Sequence, residues 1–308
     1  MPCAPDLNCR PAAWRYKMFP APAPFDWFYR LGIGYPQLWI IVLFWVFVFG
    51  SCLGSFLNVC IWRIPRGESL SKAASHCGSC NTPIKWYDNL PLISYIVLGG
   101  KCRSCKQHYS MRYFIVELIC GILFTAAVLS AGLQQLPRAY ILLSWIAIFY
   151  AVGISWIDAE HRIIPDKLSY PCSIAGLLAV GFFPEVWGEH TVWYNGLLTT
   201  LLSGAVPAIF LALFAVAGKI ITKKEVMGWG DVKYILTAGI LTGFAGAFFS
   251  LFFASFTGTV YGAVMAAVLK KPFSRIKIPL GPFLAAGTLI WIFAGKFIWN
   301  AFWMFKFN

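Results

Sequence analysis

The chain has 308 residues, of which 59% are hydrophobic and 12% are charged, and its mean hydropathy is +0.69. Soluble proteins average about 45–50% apolar and about 25% charged residues. The composition therefore excludes an ordinary soluble enzyme, a disordered chain and a disulfide-stapled secreted domain. The net charge of +13 is typical either of a nucleic-acid-binding protein or of a membrane protein with basic cytoplasmic loops.

Long apolar segments dominate the sequence. A transmembrane helix needs about 20 mostly apolar residues. Segments of this kind predict about eight transmembrane helices, at roughly 38–62, 113–131, 139–157, 168–184, 194–218, 232–243, 245–268 and 279–299. No cleavable signal peptide is expected, because the first 36 residues contain no apolar core. The sequence thus predicts an all-α polytopic membrane protein with one long polar interruption, at 63–112.

The basic residues are distributed asymmetrically between the loops. Segment 63–112 has eight Lys or Arg and two acids. Together with the loops 158–167, 219–233 and 270–277 it carries a net charge of +11, and all four fall on one side if the spans alternate. By the positive-inside rule this side is cytoplasmic and both termini are external. Topology thus explains the charge, so the expected partner is the lipid bilayer and no nucleic acid is predicted.

The polar segment 63–112 contains two cysteine pairs, Cys77-Gly-Ser-Cys80 and Cys102-Arg-Ser-Cys105, separated by 21 residues. This spacing is close to the four-thiolate zinc pattern, whose usual spacer is about 15–20 residues. Disulfides are disfavoured on the reducing side of the membrane. We therefore expect all four cysteines to bind a structural Zn²⁺, which leaves no open position for catalysis. Reduced cysteines without metal are the alternative.

Two groups of acidic residues stand at predicted cytoplasmic ends of spans. One runs from 158 to 166, and the other is the segment 228–233, with Asp231 after Gly228 and Gly230. Two carboxylates in a poorly hydrated site cannot both ionise cheaply, so they provide an acid and a base at one pH. The glycines would let the backbone bend or approach a partner closely. The alternative is that these acids only pair with local Lys and Arg at the lipid interface.

Several further motifs follow one another along almost the whole chain. In order they are Gly54-Ser55-Phe56-Leu57-Asn58-Val59, Arg63-Ile64-Pro65, the cysteine pairs with Asn89 to Tyr95 and Gly99-Gly100-Lys101, Arg112 to Glu117, Ile157-Asp158 to Asp166, Gly228 to Lys233, and Pro279 to Leu284. With these motifs the chain resembles the bacterial prepilin peptidases, or type IV leader peptidases, of the GxGD class of membrane aspartic proteases.

The resemblance implies a catalytic pair, Asp158 and Asp231. The residues that support this site are Gly228, Gly230, Lys233 and Asp166. Asp166 is the alternative to Asp158 as the catalytic partner of Asp231, because Asp166 lies eight residues after Asp158 on the same side of the membrane. We prefer Asp158, and we expect Asp166 to cap the helix that starts after Pro165. Glu160 and His161 are expected to make local polar contacts.

The resemblance also implies an activity. Members of the family cut the short basic leader from prepilins or pseudopilins after a glycine, at the cytoplasmic face of the bacterial inner membrane. Many then methylate the new N-terminus with S-adenosyl-L-methionine. Gly100 matches the family glycine linked to methyl transfer, although a role as a turn glycine is equally open. The strand–GxGxxG–helix fingerprint of a cofactor fold is absent from the sequence.

The implied domains are an external segment 1–37, a first transmembrane helix 38–62, a cytoplasmic zinc domain 63–112 that forms part of a methyltransferase, and a membrane aspartic peptidase domain 113–308. Two other functions remain open. A membrane metalloprotease would use Asp158, His161 and Asp166, although the sequence has no HExxH motif. A non-enzymatic transporter or assembly scaffold with a zinc knuckle would tolerate the loss of Asp231.

Overall fold

The computed structural model describes residues 36–70, 75–134, 136–187, 192–223, 227–272 and 278–306, so most of the predicted segment 1–37, with Cys3 and Cys9, lies outside it. The described chain is helical, as predicted. Its helices are α1 (Pro36–Arg63), α2 (Ile93–Leu98), α3 (Arg112–Leu133), α4 (Arg138–His161), α5 (Asp166–Phe182), α6 (Trp193–Thr222), α7 (Trp229–Leu269) and α8 (Gly281–Lys306), with 3-10 turns at Trp86–Asn89 and Pro184–Trp187.

The number of membrane spans differs from the prediction of eight. In the described ranges six helices are long and apolar enough to cross a membrane, namely α1, α3, α4, α6, α7 and α8. Helix α5 has only 17 residues, fewer than the about 20 that a span needs. The predicted spans 232–243 and 245–268 lie in a single element, α7, of 41 residues. No proline or charged residue separates them in the sequence, but Gly243 has non-helical backbone angles (φ 81°, ψ 171°).

Small residues allow the helices to pack closely. A Cβ atom at Gly54 of α1 would lie 2.8 Å from the Cα of Glu117 in α3. A Cβ atom at Gly239 of α7 would lie 2.2 Å from the carbonyl oxygen of Ser203 in α6. Such contacts are typical of membrane helices, where association depends on close backbone approach because lipid is as apolar as the side chains.

A buried aromatic pair holds the centre of the bundle together. The rings of Tyr150 in α4 and Tyr234 in α7 stack with their centroids 5.1 Å apart. The Tyr150 hydroxyl forms a 3.1 Å hydrogen bond with the hydroxyl of Ser169 in α5, and the Tyr234 hydroxyl a 2.9 Å bond with that of Thr288 in α8. Four helices are thereby fixed, with Tyr234 one helical turn after Asp231.

The polar segment between α1 and α3 rests against the start of α3. The backbone N–H of Leu92, just before α2, donates a hydrogen bond to Glu117 Oε2 at 2.8 Å. The Arg103 guanidinium binds both oxygens of the Asp88 carboxylate at 2.6–3.1 Å, joining the second cysteine pair to the first 3-10 turn. The pKa of Asp88 is lowered by this hydrogen bonding.

Candidate active site and candidate metal centre

Asp158 lies in the last turn of α4, and its side chain points away from water. The residue is only 6% exposed. Its Oδ2 accepts a hydrogen bond of 2.8 Å from the backbone N–H of Gly281, the first residue of α8. A Cβ atom at position 281 would lie 2.7 Å from the same oxygen, so the contact depends on glycine. The structure therefore holds this carboxylate in one defined orientation.

Asp231 is the third residue of α7 and is half-buried. Its backbone N–H donates to the carbonyl of Gly228 at 3.1 Å, which forms the first turn of the helix. A Cβ atom at Gly228 would contact the Asp231 carboxylate at 3.7 Å, and one at Gly230 would lie 3.0 Å from the Cβ atom of Ile164. A side chain at position 228 would thus make only an ordinary contact with the carboxylate, whereas Gly230 lets α7 approach the α4–α5 connection closely.

The two carboxylates come together although 72 residues separate them in the chain. Asp231 interacts electrostatically with Asp158, and Asp158 with Arg162 at the end of α4. The pair therefore lies where α4, α7 and α8 meet. In general, two neighbouring carboxylates in a poorly hydrated site can share a proton and act as acid and base.

Asp166 belongs to a different contact. It is the first residue of α5, where Pro165 occupies the capping position and no side chain makes a capping hydrogen bond. The expectation that Asp166 caps α5 is therefore wrong. Its carboxylate instead pairs with the ammonium group of Lys233 at 2.5 Å, because the start of α7 reaches across to α5. With its side chain 51% exposed, Asp166 lacks the enclosed setting of Asp158.

Glu160 and His161 make the local contacts expected of them. The Glu160 carboxylate accepts hydrogen bonds from Arg112 Nη1 at 2.9 and 3.0 Å, which ties the end of α4 to the start of α3. His161 Nε2 is 3.8 Å from the same carboxylate. A metal site made of Asp158, His161 and Asp166 is not formed, since the cysteine cluster described next is the only potential metal-binding group within the described residues.

The four predicted zinc ligands converge. The Sγ atoms of Cys77, Cys80, Cys102 and Cys105 all lie within 4.8 Å of one another. The distance is 3.8 Å between Cys77 and Cys105 and 4.0 Å between Cys80 and Cys102. Thiolates bound to one tetrahedral zinc at about 2.3 Å would be about 3.8 Å apart. The donor set therefore fits Zn²⁺.

The two cysteine pairs adopt the same local structure. In each, the residue after the second cysteine donates its backbone N–H to the carbonyl of the first, Asn81 to Cys77 at 2.9 Å and Lys106 to Cys102 at 3.0 Å. Asn81 and Lys106 both have left-handed backbone angles, with φ of 54° and 58°. Hydrogen bonding by the side chain and backbone of Thr82 lowers the pKa of the Cys80 thiol to about 6, which favours the metal-binding thiolate.

A cavity of about 450 Å³ lies between the end of α1, the start of α3 and the segment that carries the cysteines. Its polar wall includes Asn58, Arg63, Tyr109, Arg112 and Glu117. Burial and the nearby phenol and carboxylate groups raise the pKa of Tyr109 to about 12, so its hydroxyl remains a neutral donor. The only sign of this cavity in the sequence is a glutamate, Glu117, inside an apolar span.

Gly100 stands in a turn behind this cavity. Its φ is +66°, and a Cβ atom there would lie 2.9 Å from the Tyr95 ring. Its N–H donates to the carbonyl of Tyr95, and its carbonyl accepts from the N–H of Tyr109, both at 2.9 Å. Both tyrosines line the cavity. Only glycine fits this turn, which positions the two rings.

Gly281 is the residue of the carboxylate site that sequence reasoning did not single out. It was part of the motif Pro279 to Leu284, but the motif gave no indication that its backbone N–H would bind Asp158. A backbone donor leaves no signature in side-chain chemistry. The only available signal was the order Leu280-Gly281-Pro282, because a proline in the first turn favours a helix start but indicates no particular partner.

Two family models match the chain: the bacterial peptidase A24 N-terminal domain over residues 48–131 and the type IV leader peptidase family over residues 141–263. Several relatives bear the name prepilin leader peptidase/N-methyltransferase. The protein from Stutzerimonas stutzeri is 32% identical over 79% of this chain and 89% of its own length. The one from Klebsiella pneumoniae is 35% identical over 68% of this chain and 88% of its own length.

A relative of the same name from Myxococcus xanthus is 33% identical over 62% of this chain, which spans about half (53%) of that relative's length. No solved structure matches the chain. The two matched regions contain the cysteine cluster and both carboxylates, at 77–105 and at 158 and 231. The identity to relatives that are covered almost completely leads to one conclusion: the chain belongs to the type IV leader peptidase family.

Proposed function

We propose that the chain cleaves the leader peptide from prepilins or pseudopilins by a two-aspartate mechanism and then methylates the new N-terminus. The proposed cleavage rests mainly on one observation: Asp158, at the end of α4, and Asp231, at the start of α7, lie close enough to interact, and the Gly281 N–H orients Asp158. The names of the relatives, prepilin leader peptidase/N-methyltransferase, supply the substrate class and the second activity.

In the proposed mechanism the aspartate pair holds one proton. The ionised carboxylate removes a proton from a water molecule, whose oxygen attacks the carbonyl carbon of the scissile peptide bond. The protonated carboxyl donates to the carbonyl oxygen, and the roles reverse when the C–N bond breaks and the amine leaves with a proton. The Gly281 N–H keeps Asp158 aimed at the reaction. Gly228 places no side chain beside Asp231, and Gly230 lets the start of α7 pack against Ile164.

Lys233 and Asp166 support this site by fixing the start of α7. Their ion pair joins α7 to α5. The first turn of α7, which carries Asp231, is thereby held by Lys233 on one side of the aspartate and by the close contact of Gly230 with Ile164 on the other. Neither charge is needed for the chemistry, because the dyad supplies both acid and base. We therefore assign the pair a positioning role.

We further propose that Cys77, Cys80, Cys102 and Cys105 bind one Zn²⁺ with a structural role. The four sulfurs complete a tetrahedral shell and leave no site for water or substrate. In the described part of the 63–112 domain few apolar side chains are buried, so metal binding would supply folding energy. The metal would thereby hold the wall of the neighbouring cavity in place.

S-adenosyl-L-methionine, the implied second cofactor, supplies an electrophilic methyl group when bound. Gly100 would contribute to this activity through the placement of Tyr95 and Tyr109. The chain itself must bind the donor, orient the new amino terminus and accept its proton. The domain division would then be a zinc and methyltransferase part at 63–112 and a peptidase part at 113–308.

For topology we infer eight crossings in the bacterial inner membrane. Helix α7 would extend about 60 Å if straight, twice the about 30 Å of a hydrocarbon core. We propose that α7 crosses the membrane twice, with the chain reversing at Gly243, and that the short helix α5 crosses once. With these crossings every basic loop lies on the same side of the membrane. The termini would then be external, and the zinc domain and aspartates would face the cytoplasm.

The decisive experiment is incubation of the detergent-purified protein with a prepilin, following leader release and N-terminal methylation by mass spectrometry. Wild type should yield a shortened, methylated product, and Asp231→Asn should yield neither. Unchanged processing by Asp231→Asn would refute the aspartate mechanism and favour the scaffold function. Cleavage that stops only when metal is removed would favour a metalloprotease.

A further inference from the structure

The proposed methylation requires a site for the methyl donor. We infer that S-adenosyl-L-methionine binds in the cavity between α1, α3 and the cysteine-bearing segment, with Asn58 and Glu117 in contact with it. The inference rests on the proposed function, because only methylation calls for this ligand. It adds the location and the residues, which no sequence fingerprint provided.

The cavity has a suitable size and lining. Ligand pockets usually measure about 300–1,000 Å³, and this one measures about 450 Å³. Its wall includes the aromatic rings of Trp62, Tyr95 and Tyr109, and the two tyrosines meet edge to face at 5.2 Å. Aromatic rings offer flat apolar surfaces against which an adenine can pack.

Unpaired polar atoms concentrate at the same cavity. Among the described residues three buried side-chain atoms have no hydrogen-bond partner: Ser51 Oγ, Asn58 Oδ1 and Arg112 Nε. Asn58 and Arg112 both line the cavity. Asn58 is 1% exposed, and its Nδ2 donates to the Tyr113 carbonyl at 3.0 Å. Buried polar groups are rarely left unpaired; an ammonium or ribose hydroxyl of the donor would satisfy Asn58 Oδ1.

The charges of the cavity match those of the ligand. S-adenosyl-L-methionine carries two positive groups, a sulfonium and an ammonium, and one carboxylate. Glu117 is 8% exposed, and its carboxylate accepts hydrogen bonds from the backbone N–H of Leu92 and from the Ser55 side chain. A carboxylate has about four acceptor sites, so about two remain for a ligand. Arg63 and Arg112 stand in the same wall and suit the ligand's carboxylate.

The cavity also lies beside the proposed cleavage site. Arg112 in its wall pairs with Glu160 at 2.9 Å, and Glu160 follows Asp158 by two residues in α4. The cavity wall and the proposed cleavage site therefore adjoin the same last turn of α4. This arrangement favours a methyl donor over an unrelated small molecule as the occupant.

The test is direct binding of S-adenosyl-L-methionine to the full-length protein in detergent, measured by isothermal titration calorimetry. Glu117→Gln keeps the acceptor for Leu92 but removes the charge, and Asn58→Ala removes the unpaired oxygen. Ser51→Ala is the matched control, because it also removes an unpaired buried oxygen of α1 but lies outside the cavity wall. Zinc content and gel-filtration profile establish that each variant is folded.

We expect Glu117→Gln and Asn58→Ala each to weaken binding at least tenfold, and Ser51→Ala to change it less than twofold. Wild-type affinity in both folded cavity variants, from a protein that methylates its product, would overturn the location and leave the proposed function intact. If the wild type cleaves but neither binds the donor nor methylates, the methylation itself fails, and the inference with it. If a cavity variant does not fold, photochemical crosslinking of labelled donor to wild type decides: labelled peptides from α1 or α3 support the location, and labels elsewhere refute it.

Discussion

The carboxylate of Asp158 is held by the backbone of Gly281, 123 residues further along the chain, at an N–H to Oδ2 distance of 2.8 Å. No side chain contributes to this bond, and a Cβ atom at position 281 would lie within 2.7–2.9 Å of three Asp158 atoms. The orientation of one proposed catalytic group therefore depends on the entry of α8 into the bundle.

Gly281→Ala should displace Asp158 and lower the rate constant of the cleavage step at least tenfold, because misplaced catalytic groups lose much of their effect. The measurement is single-turnover cleavage with saturating enzyme. Gly181→Ala in α5 is a matched control, since a Cβ atom there meets no neighbouring atom. Normal cleavage by Gly281→Ala would show that the orientation of Asp158 is unimportant.

Asp158→Asn and Asp231→Asn should each lower cleavage by about 10²–10⁴-fold, the usual contribution of general acid–base catalysis. The double variant should be no worse than either single one, because the two groups act as a unit. Rates of leader release for the three proteins test this. Losses that multiply in the double variant would argue against a shared dyad.

Asp166→Asn should retain substantial cleavage activity, because its half-exposed ion pair with Lys233 only positions the start of α7. Exposed pairs of this kind contribute about 0–1 kcal/mol to stability, so the thermal midpoint should hardly change. Rate and midpoint are measured on the same preparation. A dead Asp166→Asn beside an active Asp158→Asn would move the first catalytic carboxylate eight residues along the chain.

Cys77→Ser and Cys102→Ser should lower the zinc content from one ion per chain, loosen the 63–112 domain and impair methylation before cleavage. Elemental analysis and limited proteolysis measure the first two effects. Cys52→Ser is the control, because Cys52 is an exposed thiol of α1 outside the sulfur cluster. Wild-type protein with no zinc and four free thiols would contradict the structural metal.

Reporter fusions after Lys223 and after Lys271 should both report the cytoplasm. These positions flank α7, so a double crossing returns the chain to the same side, whereas a single crossing would place them on opposite sides. A third fusion after Gly243 should report the external side. Opposite signals from the first two fusions would show that α7 crosses the membrane only once.

Substrates whose apolar segment after the cleavage point is made polar should bind poorly. The described residues near the aspartates include the cations Arg162, Lys167 and Lys233. The leaders cut by the family are basic, so charge attraction cannot dominate recognition. The apolar segment would instead lie among the spans. A control substrate carries the same number of substitutions in the leader, and equal processing of the polar and native segments would contradict this account.

The sequence by itself was sufficient for the helical membrane class and the cysteine cluster, since both follow from local rules. Apolar runs of about 20 residues have few alternatives in a bilayer. A CxxC pair brings its own two sulfurs together in one turn, and the four sulfurs of the two pairs do converge. Acids at the ends of spans are rare, which drew attention to the segments 158–166 and 228–233; the family resemblance then selected Asp158 and Asp231 within them.

Contacts between distant segments were decided only by the tertiary structure. Asp166 is bound by Lys233 instead of capping α5, because α7 reaches α5 at this point. The meeting of Asp158, Asp231 and the Gly281 N–H depends on how three helices cross. The cavity beside Glu117 exists because the cysteine-bearing segment folds back onto α1 and α3. Helix periodicity does not predict such contacts, since they arise from packing between distant segments and not from the order of residues within a single segment.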